Sequence, residues 1–334
     1  MTFLVWSDQH VKVDGQCVHL DAAVEAMNKL AGREYPPEFG GRVAWPAFVL
    51  GCGDCTDWPT PAATHAYANI VTRRLKLPSF DIMGNHDEGD DPADRAAFRR
   101  RTMLAAVVAA IAAGGLAYRL AGGWSRLRRT AIRLPVAFVM GLAAGAAVVV
   151  VFMPADEAMR DWIVSRHGAV SYSFDRGGVH FVAACSEYNA RQRITPEALA
   201  FIRRDLAAVP RDRPVVLAMH YCLEAISNKD ELIESFGDAN VVLVLGGHYH
   251  VGSLKEYRGV PFIQVPSPTA RSQFVVVRIA DGRLAAAAYD YGLKEWSQHP
   301  VGHLNVSLQG RGSGTSTRPG HSILSPNADN TGNH

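Results

Sequence analysis

Five short blocks of the sequence combine carboxylate, amide and imidazole side chains, and each follows a run of β-forming residues. They are Asp8-Gln9-His10, Gly53-Asp54-Cys55-Thr56-Asp57, Gly84-Asn85-His86-Asp87, His220 and Gly247-His248-Tyr249-His250. Oxygen and nitrogen donors of this kind suit a centre of two metal ions, which can hold a phosphate ester and generate hydroxide at neutral pH. The blocks therefore predict a two-metal hydrolytic site.

The spacing within the first and last blocks suggests how such a site would be built. Asp8 and His10 lie two positions apart on a stretch that we expect to be extended, so both side chains would leave the same face. His248 and His250 repeat this spacing. Asp54, from the second block, is the candidate for the carboxylate that bridges the two ions.

The third block carries the candidate catalytic residues. Asn85 offers a neutral amide oxygen as a ligand, which limits the negative charge of the centre. His86 is placed to donate a proton to the leaving oxygen or to hold a phosphate oxygen. Asp87 is expected to orient His86, as carboxylates next to metal centres often do for histidines.

In this order, the blocks resemble those of the calcineurin-like metallophosphoesterases. The family pattern is D-x-H, G-D-x-x-D/E, G-N-H-D/E, a lone His and G-H-x-H, and the match spans most of residues 1–290 apart from one apolar insertion. The resemblance implies a four-layer α/β sandwich whose two sheets meet at the metals. It also implies that Asp8, His10, Asp54 and His250 hold one ion, that Asp54, Asn85, His220 and His248 hold the other, that His86 is catalytic and that Asp57 supports its loop.

The identity of the two ions is narrowed by the type of ligand. Members of the family use iron, manganese, zinc or magnesium in varied pairs. A set of oxygen and nitrogen ligands without thiolate favours manganese or iron, and zinc and magnesium remain compatible with it.

Strand-like runs alternate with helix-period segments, which predicts an α/β layered fold. Strands are expected at Thr2–Trp6, Ala47–Leu50, Phe80–Met83, Ala169–Phe174, Val179–Ala184, Pro214–Met219 and Val241–Leu245. Helices are expected at Leu20–Leu30, Ala63–Leu75, Pro196–Leu206 and Lys229–Phe236. The later runs Phe262–Val265, Phe274–Ile279 and Leu284–Tyr289 have no helix between them, and we expect antiparallel strands that finish a second sheet.

Two apolar runs, Met103–Tyr118 and Pro135–Met153, interrupt the series of blocks. At about 1.5 Å per residue, each run barely crosses a hydrocarbon core of about 30 Å. Two membrane-spanning helices, a hairpin that dips into one leaflet and a soluble helical cap all remain open, and the hydropathy favours spanning helices. The expected organisation is a catalytic domain in two parts, 1–98 and 155–303, an inserted hairpin at 99–154 and a disordered tail at 304–334.

The predicted ligands precede and follow the insertion, so both of its ends must lie on the same side of a membrane, as two crossings allow. The distribution of arginines is less consistent with a cytoplasmic catalytic domain. Arg99, Arg100 and Arg101 precede the first run, but five arginines lie between the runs, at positions 119, 126, 128, 129 and 133. This conflict with the positive-inside rule gives weight to the hairpin that stays near anionic head groups in one leaflet.

Composition bounds the partners and the compartment. A formal net charge of +2 gives no reason to expect a nucleic-acid partner. The five cysteines do not show the spacing of the disulfide frameworks found in secreted proteins, which favours a reducing compartment. Met1–Trp6 does not resemble a signal peptide. The prediction is a membrane-associated phosphoesterase with a cytoplasmic catalytic domain that hydrolyses mono- or diesters of a lipid or a membrane-proximal substrate. The alternatives are a soluble phosphodiesterase that is capped by the hairpin and a non-catalytic membrane scaffold.

Overall fold

The computed structural model describes residues 1–89, 92–120, 126–153, 157–186, 192–299 and 301–308. Its strands are β1 (Thr2–Trp6), β2 (Val49–Gly51), β3 (Ser79–Asp81), β4 (Tyr172–Arg176), β5 (Val179–Ala183), β6 (Pro214–Tyr221), β7 (Asn240–Gly247), β8 (Ser253–Tyr257), β9 (Val260–Gln264), β10 (Gln273–Ala280), β11 (Arg283–Asp290), β12 (Glu295–Ser297) and β13 (Leu304–Ser307). Its α-helices are α1 (Asp21–Lys29), α2 (Pro61–Asn69), α3 (Pro92–Leu120), α4 (Arg126–Phe152), α5 (Ala158–His167), α6 (Pro196–Ala207) and α7 (Lys229–Ser235).

The strands form two mixed sheets. The first has the order β12-β11-β10-β1-β2-β3, with β13 also paired to β11, and the second has the order β4-β5-β6-β7-β9-β8. The strands β1, β2 and β3 run parallel in the first sheet, as do β5, β6, β7 and β9 in the second. In both sheets the remaining pairs are antiparallel.

Side-chain alternation along the strands divides the core into three layers. On β1, Leu4 and Trp6 pack against α1, α2 and α5, whereas Phe3 and Val5 belong to the core between the two sheets. The other face of the second sheet packs on α6 and α7, with Ile202 fully buried there. This is a four-layer α/β sandwich, and the predicted fold class is confirmed.

Two expectations about the C-terminal strands are wrong. The strands β10 and β11 do not finish the second sheet, because β10 pairs antiparallel with β1 in the first, with Val275 opposite Val5. The segment Leu304–Ser307 is not disordered: it forms β13, which pairs with β11 and buries Leu304 and Val306 in the core between the sheets. The rest of the predicted tail, beyond Leu308, lies outside the described residues.

The apolar insertion forms two helices, α3 and α4, that pack antiparallel along a line of small residues. A Cβ added at Gly114 would lie 2.9 Å from the Ala137 carbonyl oxygen, and one at Gly141 would lie 2.7 Å from that of Ala110. Only residues without a side chain allow backbones to approach so closely. By length and composition alone, Arg95–Leu120 and Leu134–Phe152 could each cross a membrane.

Candidate metal centre

The predicted ligands lie at the carboxyl ends of parallel strands from both sheets. Asp8 and His10 follow β1, Asp54 follows β2, Asn85 follows β3, His220 lies in β6, and His248 and His250 follow β7. In open α/β sheets, this edge is where ligands bind. The fold therefore collects in one place residues that are spread over most of the chain.

The backbone at these positions is turned, not extended. Five of the predicted ligands have left-handed φ values, Asp8 (55°), His10 (49°), Asp54 (53°), His248 (81°) and His250 (62°). The expectation that Asp8 and His10 share one face of an extended stretch is therefore wrong. Non-glycine residues adopt this conformation at a cost of about 1–3 kcal/mol each, and such strain concentrates at functional sites.

Two glycines of the blocks allow the loops to come together. A Cβ at Gly84 would overlap the Asp54 carboxylate, and a Cβ at Gly247 would overlap Ser7 Oγ and the Asp8 carboxylate. Both glycines are required by close approach, since any side chain would displace a predicted ligand.

A first group of donors combines Asp8, His10, Asp54 and His250, whose nearest ligand atoms all lie within 4.8 Å of one another. His10 Nε2 is 2.9 Å from His250 Nε2 and 3.9 Å from Asp54 Oδ2. His250 Nε2 is 3.6 Å from Asp8 Oδ1. Two imidazoles and two carboxylates that converge in this way can bind one divalent ion.

A second group meets the first at Asp54. His220 Nε2 lies 3.3 Å from Asp54 Oδ2 and 3.0 Å from Asn85 Oδ1, which in turn is 3.1 Å from His248 Nδ1. The other nitrogen of His220, Nδ1, donates to the Cys52 carbonyl at 2.8 Å and leaves Nε2 free to act as a ligand.

The buried oxygen shared by the two groups supports the assignment of a metal centre. Asp54 is 1% exposed, and its Oδ2 has no hydrogen-bond partner among the described residues. A buried carboxylate oxygen without a partner is costly, and ion binding would remove this cost. The donors around Asp54 therefore fit a metal site, and Asp54 belongs to both groups of donors.

The charges of the site depend on one another. Burial alone would raise the pKa of Asp54, but the charge of the nearby His220 imidazole holds the pKa below its usual value. Burial likewise opposes protonation of His220, but the Asp54 carboxylate raises the pKa of His220 to about 9. Burial raises the pKa of Asp8 to about 6 and lowers that of His248 to about 4. Because an ion replaces protons at such ligands, metal binding would compete with protonation of His220.

The ring of His86 is oriented by Asp57. His86 Nδ1 donates to the Asp57 carbonyl at 3.0 Å, which directs Nε2 to within 4.0 Å of Asp54 Oδ2. Asp57 also places its Oδ1 3.1 Å from His10 Nδ1, so one residue orients both rings.

The prediction that Asp87 orients His86 is wrong. The Asp87 carboxylate accepts hydrogen bonds from the amides of Gly84, Cys55 and Thr56 and from the Thr56 hydroxyl, at 2.9–3.0 Å. Asp87 is therefore a buried clamp between two of the metal-site loops, because backbone donors occupy its oxygens.

Gln192 was not predicted from the sequence. Its Nε2 is 2.8 Å from His248 Nε2, and its Oε1 accepts from Tyr249 Oη at 3.3 Å. No motif surrounds Gln192, and it is 56 residues from His248 along the chain, so only the folded structure reveals the contact.

No family model and no curated protein matches the sequence. Among solved structures, GAP50, described as the anchor in the inner membrane complex of Plasmodium, matches with a TM-score of 0.51 and 11% identity over 93% of this chain and 89% of its own. A predicted phosphoesterase of Streptococcus pneumoniae matches with a TM-score of 0.37 and 11% identity over 92% of this chain and 97% of its own. The phosphopantetheinyl hydrolase of Mycobacterium tuberculosis matches with a TM-score of 0.37 and 15% identity over 80% of this chain and 90% of its own.

At these sequence identities the matches bear on the fold alone. The match to GAP50 is the one that supports the likeness in fold. The fold is a four-layer α/β sandwich with two apolar helices inserted. Within that fold, the buried Asp–His cluster is a possible metal site.

Proposed function

We propose that the protein is a metal-dependent phosphoesterase that hydrolyses phosphate mono- or diesters at a centre of two ions. The observation that supports this most directly is the unpartnered Oδ2 of Asp54, buried where two groups of oxygen and nitrogen donors meet. The left-handed backbone at five of these residues adds to it, because folding maintains this strain only where the surrounding structure fixes it.

The chain's own residues divide the work of such a reaction. Asp8, His10, Asp54 and His250 would hold one ion, and Asp54, Asn85, His220 and His248 would hold the other. Bound ions would supply a hydroxide at neutral pH and would stabilise charge on the phosphoryl oxygens. Manganese or iron is favoured by the donor set, and zinc or magnesium is compatible with it.

His86 would act on the leaving group. Its Nδ1 hydrogen is fixed by the Asp57 carbonyl, so Nε2 is the nitrogen that can carry and release a proton. The side chain is 32% exposed, whereas that of Asp54 is 1% exposed, so a substrate can reach His86 above the buried ligands. Asp57 would keep the ring in this orientation, and Asp87 would hold the loops together.

We further propose that α3 and α4 anchor the protein to a membrane, with the catalytic domain in the cytoplasm. Only 6% of each apolar window is buried, and Leu104, Ile111 and Phe138 are 66–70% exposed. In water, this would be an unusually large exposed apolar surface for a soluble protein. Arg99, Arg100 and Arg101 are exposed just before the apolar part of α3, where anionic head groups would lie. A lipid or membrane-proximal phosphoester is therefore the proposed substrate.

Two alternative functions make different predictions for the experiments below. A soluble phosphodiesterase would use the hairpin as a cap over the site, in which case the protein would remain in solution without detergent. A non-catalytic membrane scaffold is given weight by GAP50, the solved structure described as an anchor. The complete set of donors argues against a scaffold, because a protein without catalysis has no need for strained ligand positions.

Hydrolysis of aryl phosphate mono- and diesters by the full-length protein, with Mn²⁺, Fe²⁺, Zn²⁺ or Mg²⁺, tests the activity. Asp54→Asn is expected to abolish turnover, and the matched control Asp14→Asn, an exposed carboxylate, is expected to retain it. An active Asp54→Asn variant would refute the assigned site, and absence of turnover with every metal would favour the scaffold.

Alkaline carbonate extraction of cell membranes tests the anchor. We expect the protein to remain in the pellet until detergent is added. Release into the supernatant would contradict the anchor and favour the soluble phosphodiesterase. For an anchored protein, the rate on lipid phosphoesters in vesicles is then compared with the rate on soluble esters, and equal rates would exclude the lipid substrate.

A further inference from the structure

The two ring nitrogens of His248 face different surroundings. Nδ1 is 3.1 Å from Asn85 Oδ1, on the side of the second group of predicted ligands. Nε2 is 2.8 Å from the side-chain amide of Gln192. The ring can therefore bind an ion through Nδ1 only, with Nε2 directed at Gln192.

This geometry sets a requirement on the hydrogen of the ring. A neutral histidine that binds an ion through Nδ1 carries its hydrogen on Nε2, and ligand histidines almost always donate that hydrogen to an acceptor. The side-chain oxygen of Gln192 can serve as this acceptor. A half-turn of its amide exchanges Nε2 and Oε1, and Oε1 then accepts from His248. The Tyr249 hydroxyl, 3.3 Å from Oε1, can donate or accept, so this contact tolerates either orientation of the amide.

The backbone and neighbouring rings hold the pair in position. Gln192 has a left-handed φ of 51°, and its carbonyl accepts from the Ser227 amide at 3.3 Å. The Tyr221 ring packs edge-on against His248 at 4.9 Å. A strained backbone beside a predicted ligand, as at the ligands themselves, suggests that this contact is functional.

We infer that Gln192 is a positioning residue that keeps the His248 hydrogen on Nε2 and so directs Nδ1 to the second ion. The inference rests on the proposed two-ion centre. It requires that loss of the Gln192 acceptor weaken binding of one ion and spare the other, because Gln192 contacts the His248 ring, whereas the His10 ring is oriented by Asp57.

The test is a calorimetric titration of the metal-depleted, full-length protein with Zn²⁺, which compares wild type, Gln192→Leu and Gln192→Glu. Leucine approximates the size of glutamine without an acceptor, whereas glutamate presents an acceptor in both orientations. Wild type and Gln192→Glu are expected to bind two ions, and Gln192→Leu is expected to bind the second about 10- to 100-fold more weakly. In ¹⁵N spectra of the zinc-loaded wild type, His248 is expected to carry its hydrogen on Nε2.

Unchanged affinity of Gln192→Leu for the second ion would overturn the inference, as would equal weakening in Gln192→Glu. A His248 hydrogen on Nδ1 in the zinc-loaded wild type would also overturn it, and this measurement does not depend on the folding of Gln192→Leu. Wild-type protein that binds fewer than two ions would instead refute the two-ion centre, so the two failures are distinguishable.

Discussion

Replacing Asp87 by alanine removes the acceptor that joins the loop after β2 to the loop after β3. The carboxylate is fully buried and accepts four hydrogen bonds, three of them from backbone amides that cannot turn to another partner. A buried donor left without an acceptor costs about 1–3 kcal/mol. The Thr56 hydroxyl can rotate, so the three amides set the expected loss.

The expected loss of stability is reduced by the cost of burying the charged Asp87 carboxylate in the native protein. Burial and the nearby Asp54 charge raise the pKa of Asp87, so the ionised form is not free of penalty in the native protein. Removing the carboxylate also removes this penalty, which offsets part of the lost free energy of unfolding. We expect Asp87→Ala to lower the free energy of unfolding by about 3–5 kcal/mol, a large part of the about 5–15 kcal/mol typical of a domain.

Urea unfolding of the detergent-solubilised, full-length protein, followed by tryptophan fluorescence, measures this loss. Asp14→Ala is the matched control, because that carboxylate is exposed and its partners are within the same turn. Asp87→Asn retains one acceptor and is expected to lose about half as much. A loss below about 1 kcal/mol for Asp87→Ala would refute the clamp, because it would mean that the amides find other partners.

The remaining predictions concern the site loops, pH and the hairpin. Gly84→Ala is expected to abolish Zn²⁺ binding measured by calorimetry, because its Cβ would overlap the Asp54 carboxylate; unchanged binding would contradict this. The pKa of His180 is raised by hydrogen bonds to two carboxylates, so its contribution to stability is complete below the unfolded pKa of about 6.5 and is lost as pH rises through the folded pKa. The urea midpoint of His180→Gln should therefore differ from wild type more at about pH 5.5 than at about pH 8.5, and the opposite trend would exclude the mechanism. Gly141→Val should lower the melting temperature in detergent, because its Cβ would lie 2.7 Å from a carbonyl of the facing helix, whereas Gly115→Val has open space and should not. Equal effects would show that the helices do not pack there.

The strands and the site were predictable to different extents from the sequence. The bounds of β1 were predicted to the residue, and the alternation of strands and helices gave the layered fold. The sheet to which β10 and β11 belong was not predictable, because period-two patterns identify a strand but not its neighbour. Likewise, β13 lies in a segment whose composition resembles a tail, and it is a strand only because β11 offers it an edge.

What the sequence by itself determined is the chemistry of the site and the segments that carry it: the donor residues, their order, the strands before them and the apolar insertion. These features are local, since each is encoded within a few residues or one helical period. Tertiary structure alone decided which donors face each other, that Asp87 holds loops instead of His86, and that Gln192 meets His248. These contacts join residues as far apart as His10 and His250, separated by 240 positions, and their geometry depends on how two sheets pack and on the left-handed turns that close the site.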